Sequence, residues 1–177
     1  SVRESGSARA MAGYRKRAAD RLIGELLAEL PALLIVGPRA TGKTTTASRH
    51  AATTVGLDRP GEAVAFQADP DSALRGLKEP VLLDEWQHLP FTWDLVRRAV
   101  DAGATPGQFL LTGSASLADP GRHSGAGRIL RTRMRPLALS ERGFEPSVSL
   151  AELLGGRRPG ISGDTATDLT TYTTEIV

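Results

Sequence analysis

One segment constrains this chain more than any other. Gly37-Pro38-Arg39-Ala40-Thr41-Gly42-Lys43-Thr44 fills the pattern G-x-x-x-x-G-K-[ST] at every position. Its flanks match the pattern's needs. Ala32 to Val36 is wholly apolar, as in a strand buried on both faces of a parallel sheet. Lys43 to about Ala52 reads as a helix. Gly37 and Gly42 permit backbone angles that other residues resist, so the intervening amides can turn inward. With the positive end of the following helix they form a cradle for phosphates. Lys43 would reach the outer phosphates as a point charge, and the Thr44 hydroxyl suits Mg²⁺. The expected phosphate contacts run from Gly37 through Pro38, Arg39, Ala40, Thr41, Gly42, Lys43 and Thr44 to Thr45.

The remaining elements predict an α/β fold, a parallel sheet of about five strands flanked by helices. Leu22, Ile23, Leu26, Leu27 and Leu30 recur at helical spacing between Tyr14 and Leu30, and Pro31 stops that helix. Further strands are expected at Ala63–Phe66, Val81–Leu83, Phe109–Leu111 and Ile129–Met134, with a helix over Trp93–Val100. In the last strand Leu130, Thr132 and Met134 alternate with Arg131 and Arg133. Residues 1–12 read as a loose lead-in, 13–154 as the phosphate-loop domain and 155–177 as a linker-like tail.

Three further places can carry chemistry. Asp84 and Glu85 end a buried strand, where open α/β sheets bind ligands. Asp84 is expected to complete the Mg²⁺ shell opposite Thr44, and Glu85 to polarise a water for attack on the γ-phosphate. Thr112 and Ser114 end another strand, and one of these hydroxyls would sense the γ-phosphate; the sequence holds no Asn for that task. Arg122, Arg128, Arg131, Arg133 and Arg135 form a basic stretch without an acid. One of them could stabilise transition-state charge, in this subunit or a neighbour, or the face could meet a nucleic-acid backbone. His50, His88 and His123 lack metal-ligand spacing, and Trp86 is expected in the core.

Composition narrows the classes. Cysteine is absent, which excludes disulfides and thiolate metal sites and fits a reducing, cytoplasmic setting. No apolar run approaches the roughly 20 residues of a membrane span. The 22 basic and 20 acidic residues nearly balance, so any nucleic-acid reading rests on where charges sit.

Together the motifs resemble a known family. They are Leu34 to Thr45, Leu82 to Pro90, Leu111 to Ser114, then Gly127-Arg128 with Arg135 to Glu141. The series is similar to the AAA-superfamily group of prokaryotic ATP-binding proteins whose ATPase core is followed by a C-terminal domain of unknown function. The resemblance runs from about Tyr14 to Val177. It implies an additional-strand sheet, in which the strand ending at Thr112 inserts between the phosphate-loop strand and the strand ending at Asp84. It also implies MgATP as the nucleotide and makes Arg128 the best candidate for a finger, while hydrolysis to ADP and phosphate is the expectation that Glu85 carries. Trp86 stands where the family carries an aliphatic residue. Thr167 to Tyr172 resembles the opening of the C-terminal domain, which implies a truncated member or a fragment. A homo-oligomer or protein partner would then be reached through that missing part. A small-molecule kinase with an Arg-rich lid, and a non-hydrolysing ATP-responsive DNA-associated regulator, are the alternatives.

Overall fold

Three short apolar runs build the centre of the sheet. The computed structural model describes residues 14–114, 127–142 and 149–157. Strands β1 (Ala32–Gly37), β4 (Phe109–Ser114) and β3 (Val81–Asp84) are buried almost throughout. Strands β2 (Thr53–Gly56) and β5 (Leu130–Arg133) form the edges; β5 is largely exposed and β2 half-buried. All pairings are parallel and the order is β2-β3-β4-β1-β5. The strand ending at Thr112 and Ser114 thus lies between the loop strand and the acidic strand, as the resemblance implies.

Alternation along the strands feeds two cores. Leu33, Ile35, Leu82, Leu110 and Met134 pack with Ile23 and Leu27 of α1 (Ala18–Glu29) and Ala47 of α2 (Lys43–Ser48). On the other face Leu34, Val36, Leu83 and Leu111 meet Phe66 of α3 (Pro60–Ala68) and Leu95 and Val96 of α5 (Phe91–Asp101). Leu74 of α4 (Pro70–Arg75) packs on the same cluster. Each fully buried Leu or Ile contributes roughly 1.5–3 kcal/mol.

Two expectations are corrected here. The second strand is not at Ala63–Phe66, which lies inside α3; it is Thr53–Gly56. A four-residue apolar run does not distinguish strand from helix, and Pro60 in the first turn starts the helix. Thr53, Thr54 and Val55 supply β-branched side chains suited to a half-exposed edge. The helix after the loop ends at Ser48, not near Ala52.

The chain divides into two compact units at Pro136–Leu137, inside the stretch read from sequence as one domain. The described part of the second holds a 3-10 turn, Leu139–Arg142, and α6, Leu150–Leu154. In α6 the Ser149 backbone N–H donates to Glu152 at 3.4 Å, and Leu150, Leu153 and Leu154 are exposed.

Candidate functional site

Parallel register brings the C-terminal tips of the strands to one edge. Gly37 stands opposite Ser114, and Leu83, one residue before Asp84, stands opposite Leu111. The loop after β1 therefore faces the acidic end of β3 across the tip of β4.

The loop bends where its sequence permits. Gly42 has φ 80°, the left-handed region that glycine enters freely. Ala40 also lies there, at φ 59°, a position that strains a residue with a Cβ. Gly37 is needed for a different reason than expected. Its φ is ordinary, but a Cβ on it would lie 2.3 Å from the Met134 carbonyl oxygen. The residue is small because the end of β5 presses on it.

The side chains of the loop fold inward. Lys43 is buried, and its Nζ donates to the Pro38 carbonyl at 2.8 Å. The Thr41 hydroxyl donates to the same carbonyl at 3.0 Å. Pro38, Arg39, Ala40, Thr44 and Thr45 are exposed around the mouth. The first-turn N–H groups of α2 have no acceptor within the helix, which leaves them for an anion.

Thr44 and Asp84 meet directly: the hydroxyl donates to Asp84 Oδ1 at 2.8 Å. Asp84 is only 8% exposed. Thr112, fully buried, donates its hydroxyl to the same Oδ1. The Glu85 backbone N–H in turn donates to Thr112 Oγ1 at 3.2 Å. Thr112 therefore sits beneath the acidic pair with its hydroxyl engaged as donor and acceptor. The other residue considered for phosphate sensing, Ser114, pairs with Gly37 at the strand tip. Glu85 has φ 53°, and its carboxylate accepts from Gln87 Nε2. Trp86 is buried, its ring 5.2 Å from that of Trp93, in the core position expected.

The donor set fits one kind of cation. Among the described residues no group of three or more His, Asp or Glu could cage a metal. One hydroxyl and one carboxylate in contact are hard oxygen ligands, which suits Mg²⁺, an ion that keeps several waters and takes few protein ligands beside phosphate.

Arg128 lies elsewhere. It precedes β5, whose first residue pairs with Leu33 at the start of β1. Its Nε donates to Asp101, the last residue of α5. The structure therefore does not bring Arg128 to the loop of its own chain. Arg122 and His123 lie outside the described residues. Arg131, Arg133 and Arg135 are exposed.

Sequence reasoning passed over two groups. Arg17, 6% exposed, donates from Nη1 to the Thr41 carbonyl at 2.7 Å and from Nη2 to the Arg135 carbonyl at 2.8 Å. Tyr14 donates to Asp20 at 2.8 Å and shares a 3.0 Å hydrogen bond with Thr46 of α2. A basic residue just before a helix and a Tyr in a lead-in carry no periodic signal.

No helix among the described residues is long and apolar enough to cross a membrane. Two uncharacterized proteins, from Mycobacterium tuberculosis and Mycobacterium bovis, are each 33% identical to this chain over 154 residues. The match covers 84% of this chain and 34% of each relative, so the chain spans about a third of the curated relatives it matches. The family model described as an AAA domain matches residues 29–143, which include the loop, the acidic strand tip and the inserted strand between them. With that match and the strand order β2-β3-β4-β1-β5, this chain belongs to the AAA domain family.

Proposed function

We propose that this domain binds MgATP and hydrolyses it to ADP and phosphate, serving as the nucleotide-dependent core of a larger protein. The observation that carries this reading is the contact of Thr44 with Asp84, which joins the loop helix to the acidic strand at a single point. Loop amides and Lys43 would hold the β- and γ-phosphates, with Lys43 exchanging its Pro38 contact for phosphate oxygens. Thr44 and Asp84 would hold Mg²⁺, which when bound neutralises charge on the phosphates.

Glu85 would act as general base. Its Oε2 is held by Gln87, and Oε1 would take a proton from the attacking water. The water oxygen bonds to the γ-phosphorus as the bond from phosphorus to the bridging oxygen breaks, leaving ADP and inorganic phosphate. Ser114, beside Gly37 at the tip of β4, would contact the γ-phosphate. Arg128 would serve a neighbouring subunit.

The test is calorimetry of ATP and ADP with and without Mg²⁺, run beside a phosphate-release assay. Wild type should bind with a marked Mg²⁺ dependence. Lys43→Ala should lose orders of magnitude in affinity. Glu85→Gln should bind normally while phosphate release falls by roughly 10²–10⁴-fold. Undiminished turnover in Glu85→Gln removes the base from this role, and unchanged binding in Lys43→Ala removes the site.

A further inference from the structure

The Thr41–Gly42 peptide carries the loop's central bend, and its orientation is not self-determined. Gly42, at φ 80°, accepts many backbone conformations at little cost, so the preceding peptide plane can turn over with little steric resistance. A trans peptide points its C=O and its N–H in opposite directions. Whatever holds the Thr41 carbonyl therefore aims the Gly42 amide.

Arg17 holds that carbonyl. Its buried guanidinium donates to Thr41 O at 2.7 Å and, through the other terminal nitrogen, to Arg135 O at 2.8 Å. The second bond anchors the clamp to the exit of β5, where the neighbouring Met134 carbonyl already presses on Gly37. Arg17 is itself fixed, since its backbone N–H donates to Asp20 Oδ2 at 2.7 Å. Asp20 accepts from Tyr14, and Tyr14 reaches Thr46 on the loop helix. The stretch 14–20 thus grips both the loop and the helix that follows it.

We infer that Arg17 is a positioning residue for the phosphate loop: by fixing the Thr41 carbonyl it turns the Gly42 amide toward bound phosphate. The inference rests on the nucleotide reading above. It explains the residue type. A guanidinium reaches two carbonyls from one rigid plane, whereas a lysine ammonium carries one point charge.

The experiment compares ADP affinity, measured by calorimetry, in wild type, Arg17→Ala, Arg17→Lys and Leu27→Ala. Leu27 is a buried core residue near the opposite end of α1 from Arg17, and its truncation loosens the same helix while leaving the Arg17 side chain in place. Loss of a buried charge-assisted hydrogen bond should weaken ADP binding about 10- to 100-fold in Arg17→Ala. Arg17→Lys should fall between the two, and Leu27→Ala should bind as wild type well below its melting temperature. Millimolar methylguanidinium should restore part of the affinity of Arg17→Ala and do nothing for Leu27→Ala, a response that general destabilisation would not give. If Arg17→Ala does not fold, Arg17→Lys decides: affinity equal to wild type overturns the inference. Undiminished binding by Arg17→Ala, or an equal loss in Leu27→Ala, also overturns it. Absence of ADP binding by wild type instead overturns the nucleotide reading, and this inference with it.

Discussion

Thr44 and Asp84 are 40 residues apart in sequence and 2.8 Å apart in space. They meet although β4 separates the strands on which each depends. The inserted strand does not keep them apart, because α2 packs beneath it: Ala47 lies in the same buried cluster as Leu110 and Leu82. The inserted strand also supplies Thr112, which donates to the same Asp84 oxygen. Two hydroxyls therefore orient one buried carboxylate, from a helix on one side and a strand on the other.

That arrangement makes Thr112 a sensitive position. Thr112→Val keeps the shape but removes the donor to Asp84 and the acceptor for the Glu85 amide. Leaving both groups buried without this partner should cost about 1–3 kcal/mol. Thr112→Ser should restore most of it. Urea unfolding at neutral pH checks this; a Val variant as stable as wild type would show that Asp84 finds other donors.

Glycine substitutions should separate crowding from propensity. Gly37→Ala places a methyl 2.3 Å from the Met134 carbonyl, so backbone must move, at roughly 1–3 kcal/mol. Gly61, within α3, has nothing within 4 Å of its position for a Cβ. Gly61→Ala should stabilise by about 0.5–1 kcal/mol, because alanine loses less freedom in a helix. Opposite shifts of the urea midpoint are expected. A neutral Gly37→Ala would mean that the end of β5 yields easily.

How much was legible in the sequence follows from the range of each interaction. The loop and Asp84 were legible because local pattern encodes them: an apolar strand, a glycine bend, a helix, then acids at a strand tip. The place of Thr112 at a tip was legible too, but its orientation was not. Whether a hydroxyl points to the cleft or beneath the acids depends on a neighbouring strand 28 residues away. Strand β2 was missed because Ala63–Phe66 is more apolar than Thr53–Gly56, and edge strands need little burial. Arg17 was invisible because its two acceptors lie 24 and 118 residues away, in carbonyls that every residue possesses.

Acid should loosen the brace on α2. Burial alone would raise the carboxyl of Asp20, but the Arg17 N–H, the Tyr14 hydroxyl and His50 outweigh it and hold it below its usual value. Tyr14 stays protonated through acidic pH, its phenol raised first by burial. A carboxyl lowered in the folded state stabilises above its unfolded pKa, near 3.9. That contribution is lost as pH falls through the lower, folded value. Wild type should therefore exceed Asp20→Asn by about 1–3 kcal/mol at pH 6, and the gap should close as pH falls through that lower value. Urea midpoints across that window report it; a constant gap would mean that Asp20 acts by shape alone.

Arg128 stands at the wrong end of its strand to serve its own loop. Leu130, two residues on, pairs with Leu33, so β5 runs the length of β1 before the chain reaches Met134 beside Gly37. At about 3.3 Å per residue, the run from Leu130 to Met134 alone spans roughly 13 Å, and Arg128 lies in the turn before it. If Arg128 contributes to hydrolysis, it does so across an interface. Its bond to Asp101 does not forbid this, because a half-exposed ion pair is worth about 0–1 kcal/mol and exchanges readily. Arg128→Ala should keep ADP affinity and lose roughly 10³-fold in hydrolysis, the scale at which arginine fingers act. Specific activity should rise with protein concentration. Mixing inactive Arg128→Ala with inactive Lys43→Ala should restore activity, since the intact arginine of one chain then faces the intact loop of the other. Recovery without mixing, or none with it, separates the outcomes: full activity in Arg128→Ala alone removes the residue from the reaction, and a silent mixture removes the neighbour.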